Sequence, residues 1–148
     1  MNRKTFLYTM ICLPFLSRRS AAAPSRISVY KDPTCGCCGK WAEHLRANGF
    51  DVVIQETKDL AGYRKKYGVP ESLASCHTGV VDGYAIEGHV PAREIQRLLK
   101  ERPKAKGLAV PGMPMGSPGM EAAQTQAYSV LLFDGTGRSQ VYQSYAAR

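Results

Sequence analysis

Apolar and polar positions change period several times along this 148-residue chain, and each change marks an element. Ile27 to Tyr30 alternates with a period of two, which predicts a half-buried strand. A turn carrying Asp32-Pro33-Thr34 follows, and a helical stretch runs from about Gly39 to Ala47 until Asn48-Gly49 stops it. Phe50 to Glu56 is a second strand, rich in β-branched residues. Two strands joined through a helix predict a right-handed βαβ unit with a parallel pair.

A second helix is expected over Asp59 to Tyr67, closed by Gly68 and Pro70. Thr78 to Val81 and Tyr84 to Gly88 flank Asp82-Gly83, the residue pair of a two-residue hairpin turn. Pro91 suits the first turn of a third helix, whose apolar face holds Ile95, Leu98 and Leu99 and which ends before Pro103. The order β-α-β-α-β-β-α predicts an α/β chain with the thioredoxin-like arrangement over residues 24–103. Residues 104–123 are rich in Gly, Pro and Met and lack periodicity, while Tyr128 to Phe133 and Arg138 to Tyr145 read as a hairpin around Asp134-Gly135. A Met-containing loop and a C-terminal hairpin packed on the same domain are therefore expected over 104–148.

Length supports one compact domain, because two separate cores would each bury too little apolar surface. Residues 1–23 read as an export signal: Arg3 and Lys4, an apolar run from Thr5 to Leu16, and Ala21-Ala22-Ala23 as the cleavage site. The apolar run is too short to span a bilayer comfortably, so no stable membrane span is expected after cleavage. The expected location is the periplasm. Cleavage removes Arg3, Lys4, Arg18 and Arg19 and lowers the formal net charge from +8 to +4. The remaining basic runs, Arg64-Lys65-Lys66 and Lys100 to Lys106, lack the interleaved aromatics of a nucleic-acid binder and read as solvated faces.

Of five cysteines, Cys12 lies in the signal, leaving Cys35, Cys37, Cys38 and Cys76. In an oxidising compartment disulfides are the default for an even number, and one reading staples Cys35 or Cys38 to Cys76. Another takes Cys35 and Cys38 as a redox-active C-x-x-C pair at a strand-to-helix turn, where helix N–H groups favour thiolates. Cys37 weighs against that reading, because a third thiol beside a redox pair invites scrambled mixed disulfides, whereas a soft metal gains from each added sulfur. A metal site is the preferred reading.

In the expected topology strand three runs antiparallel to strand one and begins at the cysteine turn, so Cys76 and His77 should face that turn. A true Asp82-Gly83 turn pairs Val81 with Tyr84 and, counting outward, Cys76 with His89, with Cβ atoms roughly 4.5–5.5 Å apart. His89 is thus a candidate ligand, with an ordinary surface histidine as its alternative. His77 is the weaker candidate, because strand alternation aims it away from Cys76. His44 lies about two helical turns beyond the cysteines and reads as solvated, and Trp41 as packing beneath the site.

Four sulfurs with imidazoles suit either zinc as a closed tetrahedron or Cu(I), which prefers thiolates. Met113, Met115 and Met120 tip the choice to copper, since thioethers are soft ligands of little use to zinc; linker and gap-filler are the alternatives. The number of ions is not legible from spacing.

Thr34-Cys35-Gly36-Cys37-Cys38-Gly39-Lys40-Trp41, Ser75-Cys76-His77-Thr78, Asp82-Gly83-Tyr84 and Glu87-Gly88-His89-Val90-Pro91 together resemble the small exported CopG-like copper-resistance family. The resemblance covers roughly Ile27 to Met120. It implies a thioredoxin-like fold, a periplasmic location, copper on Cys35, Cys37, Cys38 and Cys76, and a role in copper redox chemistry or detoxification alongside other periplasmic copper-handling or redox proteins. Ordinary thioredoxins carry a cis-proline before strand three, where this chain has Ser75-Cys76-His77. That departure favours binding metal over docking substrate disulfides.

Overall fold

The computed structural model describes residues 23–148 and contains α1 (Gly36–Ala47), α2 (Leu60–Tyr67) and α3 (Ala92–Glu101) around one mixed sheet. The export-signal reading falls outside these residues, apart from Ala23. The strands are β1 (Arg26–Lys31), β2 (Asp51–Glu56), β3 (His77–Val81), β4 (Tyr84–Glu87), β5 (Gly107–Ala109), β6 (Tyr128–Phe133) and β7 (Ser139–Tyr145). They lie in the order β2-β1-β3-β4-β5-β6-β7. No helix among the described residues is long and apolar enough to cross a membrane.

Alternation along the strands divides the apolar residues between the two faces of the sheet. Ile27, Val29, Ile86 and Leu108 join Trp41, Leu45, Ile95 and Leu98 from α1 and α3 in one fully buried cluster. Ala85, Ala109 and Phe133 meet Val69 and Leu73 on the opposite face. There Tyr30 of β1 stacks on Tyr63 of α2 with ring centroids 3.9 Å apart. In α1 the buried residues are Cys38, Trp41, Ala42 and Leu45, the i, i+3, i+4, i+7 stripe that drives a helix onto a sheet.

Three sequence expectations need correction. First, α1 begins at Gly36 rather than near Gly39. Asp32 accepts hydrogen bonds from the Thr34 backbone N–H and hydroxyl, and the Cys35 N–H bonds back to the Asp32 carbonyl, so this compact turn opens the helix one turn early. Second, the stretch over 104–123 contains β5, which pairs parallel to β4 and antiparallel to β6 and so makes the C-terminal hairpin part of the same sheet. Three residues are too few to show periodicity. Third, His44 is half-buried, and its Nε2 accepts the Ala92 N–H at 3.0 Å, satisfying a free donor at the start of α3.

Candidate metal centre

The site forms where β1, α1 and the start of β3 converge. β1 pairs parallel with β2 and antiparallel with β3, which brings Lys31 opposite His77 and the cysteine turn beside the segment entering β3. Asp82 and Gly83 both have positive φ, 47° and 84°, as a tight hairpin with the right-handed strand twist requires. The register runs Val81↔Tyr84, Val80↔Ala85, Gly79↔Ile86 and Thr78↔Glu87, and the Gly88 N–H continues it to the His77 carbonyl. One step further on, the Cys76 Sγ lies 3.2 Å from the His89 Nε2. The expected Cys76–His89 pairing is thus present as a contact.

His77 is also in the site, contrary to the alternation argument. Its Nδ1 lies 3.3 Å from the Cys76 Sγ and 3.3 Å from the Cys38 Sγ. Alternation fails here because Cys76 precedes β3 and is not held in its ladder, so its side chain turns back toward that of its neighbour. The His77 ring packs on Trp41 at 4.2 Å between centroids and on His89 at 5.3 Å, and Trp41 in turn donates its indole N–H to the Val90 carbonyl. Trp41 therefore fixes the floor of the site, as the sequence suggests.

The sulfurs of Cys35, Cys37, Cys38 and Cys76 all lie within 4.8 Å of one another, and Cys76, His77 and His89 form a second group within the same limit. Cys35 and Cys38 are joined as a disulfide, whereas Cys37 and Cys76 are free thiols. The staple of either residue to Cys76 is therefore not the pairing adopted. Cys35 occupies the N-cap of α1 without a side-chain cap, and Cys37 and Cys38 lie in the helix's first turn, at its positive end.

Burial dominates the electrostatics. Loss of solvation pushes the Cys76 thiol up to about 12, helped by the Cys37 sulfur beside it. Burial pushes His77 down to about 3, with His89 adding to the effect; burial lowers His89 as well, opposed by the Glu121 carboxylate. Both imidazoles are consequently neutral, the form that can donate a lone pair to a metal. His77 Nε2 and His89 Nδ1 are buried with no hydrogen-bond partner. These are the nitrogens opposite those that contact the sulfurs, so each ring meets the cluster through His77 Nδ1 or His89 Nε2.

Sequence reasoning missed the residues that hold Cys76 in place. Glu87 is fully buried and its carboxylate accepts from Arg64 Nε at 3.1 Å, the Ser75 N–H at 2.7 Å and the Thr78 hydroxyl at 2.6 Å. Arg64 Nη2 also donates to the Ser75 carbonyl at 3.0 Å, so both backbone groups of the residue before Cys76 are fixed. Burial raises the Glu87 pKa, while Thr78, Ser75 and Arg64 act to lower it. The hairpin register already puts Thr78 opposite Glu87, a polar pair on an otherwise apolar ribbon, and that was the available signal.

A family model described as "Protein of unknown function, DUF411" matches residues 73–120, which hold Cys76, His77 and His89. Two solved structures titled copper resistance protein CopG, forms 1 and 2, are each 47% identical to this chain. The first covers 83% of this chain and 98% of its own with a TM-score of 0.79, the second 82% and 98% with 0.78. This chain belongs to the CopG family. No curated protein sequence matches it.

The donor set fits a soft metal ion. Two free thiols and two more held in a disulfide that reduction releases form one group, two imidazoles join Cys76 in an adjoining one, and no carboxylate oxygen stands among the grouped donors. Sulfur-rich, carboxylate-free donor sets select Cu(I) or zinc over the hard cations.

Proposed function

We propose that this protein is an exported, periplasmic copper-binding protein of copper resistance, built on a thioredoxin-like domain, that holds Cu(I) at Cys35, Cys37, Cys38 and Cys76 with His77 and His89. The observation that carries the reading is the convergence of four sulfurs within 4.8 Å in a chain 47% identical to copper resistance protein CopG. A soft cation held by these sulfurs would offset, with its positive charge, the desolvation that disfavours the Cys76 thiolate. The neutral imidazoles add donors without adding charge. Glu87 and Arg64 hold Cys76 against the α1 terminus, so the sulfurs converge before any ion arrives.

The disulfide gives copper capacity a dependence on redox state. With Cys35 and Cys38 joined, two of the four sulfurs are unavailable as thiolates, and the full set exists only in the reduced chain. The test is competition for Cu(I) by reduced Cys35→Ser/Cys38→Ser protein. Tight binding should be lost; wild-type stoichiometry and affinity in the variant would sink the proposal.

The same disulfide favours a second reading, a thiol-disulfide oxidoreductase that uses Cys35 and Cys38. Cys35 at the N-cap and Cys38 in the first helical turn have the C-x-x-C placement of such enzymes. Metal-free protein that reduces insulin disulfides at a useful rate would support this reading, and inactivity would leave copper binding as the function of the pair.

A further inference from the structure

Lys31 closes β1 with its charge turned toward the cysteine turn. Its side chain is only 9% exposed, and its Nζ donates to the Asp32 carbonyl at 3.0 Å. The same carbonyl accepts the Cys35 N–H at 3.0 Å, so the ammonium and the first cysteine of the turn share one acceptor. Lys31 also stands directly opposite His77 in the β1–β3 ladder. Direct partners point to the same face with Cβ atoms about 4.5–5.5 Å apart. The Lys31 stem therefore runs beside the ring that meets Cys38 and Cys76.

Lysine is rarely buried unless paired, and most lysines lay the stem on apolar groups and keep the head in water. Here the head is bonded back to the backbone of the cysteine turn, and the carboxylates nearby do not cancel its charge. Glu56 Oε1 lies 3.5 Å away, but its side chain is 59% exposed, where solvent weakens the pair. The Asp32 carboxylate is engaged by the Thr34 N–H and hydroxyl. A positive charge is thus fixed at the edge of the sulfur group, in a place that water and salt screen poorly.

Donor chemistry leaves one choice that this charge can make. Thiolates and imidazoles bind zinc as well as Cu(I). On the same donors a divalent ion leaves the site one positive charge higher than Cu(I) does, and a fixed positive neighbour penalises that extra charge. Resting on the copper-binding reading, we propose that Lys31 is a specificity-determining residue of the metal centre, a fixed positive charge beside Cys35 and His77 that discriminates against divalent ions and so favours Cu(I) over zinc.

Anaerobic titrations of the reduced protein, with Cu(I) and zinc each measured against a competing chelator, test this through the ratio of the two dissociation constants. Lys31→Met and Lys31→Gln should both shift the ratio toward zinc by about tenfold, the scale of one unit charge acting through a partly screened interior. Lys31→Gln keeps an N–H donor for the Asp32 carbonyl, so its loss of discrimination belongs to the charge. Lys31→Arg keeps the charge and should keep the wild-type ratio. An unchanged ratio in Lys31→Met and Lys31→Gln, even with both metals bound more weakly, would reduce Lys31 to a support of the cysteine turn and overturn the inference. A shift of equal size in Lys31→Arg would overturn it too. Absence of tight Cu(I) binding to the wild-type protein, read by metal analysis of the same samples, is a different failure and would sink the copper-binding reading and this inference with it.

Discussion

Two buried polar clusters sit side by side on the β3–β4 hairpin, and they are built to opposite rules. Glu87 has every oxygen engaged, by Arg64, Ser75 and Thr78, in a closed network that links α2, the segment before β3 and the hairpin itself. Two residues further on, His89 and its neighbour His77 leave a ring nitrogen each without a partner, though both residues are fully buried. The protein is thus able to satisfy buried polar groups in this region and does not do so at the imidazoles. The difference separates a cluster that stabilises the fold from one in which each imidazole meets the sulfurs through one nitrogen, His77 Nδ1 and His89 Nε2, and leaves the opposite nitrogen without a partner at a cost to the fold.

Breaking the closed network should have the largest effect. Glu87→Ala takes from the Arg64 guanidinium its buried carboxylate and leaves the Ser75 N–H without an acceptor, and a loss of about 3–5 kcal/mol is expected from removing one partner of a buried pair. Denaturant unfolding measures it; a loss below about 1 kcal/mol would remove the clamp from the account. His77→Phe sharpens the contrast from the other side. It removes the unpartnered nitrogen while keeping a ring against Trp41, so the metal-free protein should be unchanged or more stable by about 1 kcal/mol. Cu(I) affinity should fall in the same variant, and destabilisation with unaltered affinity would reverse the roles assigned to the two clusters.

A smaller effect is expected at His44. Burial holds its pKa below 6.5, with the Glu121 carboxylate opposing, and its neutral Nε2 accepts the Ala92 N–H. The unfolded chain therefore binds more protons at this group than the folded chain, and its contribution to stability is lost as pH falls through and below about 6.5. His44→Gln should flatten part of that acid-side decline in an unfolding series over pH, at a cost of about 0.5–1.5 kcal/mol at neutral pH for the altered hydrogen bond. An identical pH profile in the variant would show that the cap does not titrate.

Much of the site was legible because its parts obey local rules. Asp82-Gly83 fixes the hairpin register, and the register alone places Cys76 against His89. Cys35, Cys37 and Cys38 announce themselves by spacing. What escaped lies where local pattern gives way to tertiary context. Alternation cannot describe His77, because its partner Cys76 is outside the ladder. The three residues of β5 are strand because β4 and β6 flank them, and nothing in Gly107-Leu108-Ala109 carries that information. His44 was read from its distance along α1 to the cysteines, a measure that says nothing about the neighbouring helix it caps. The Glu87 network joins three segments far apart in sequence, so only its Thr78 contact could be anticipated.

The central claim is that the sulfur cluster is a copper site, and anaerobic Cu(I) titration of the reduced protein against a competing chelator tests it most directly, with bound copper and free thiols counted on the same samples. The account predicts tight copper binding that protects Cys35, Cys37, Cys38 and Cys76 together, and a marked loss of capacity once Cys35 and Cys38 are oxidised to the disulfide. Weak binding, with all four thiols free and active in disulfide exchange, would contradict it.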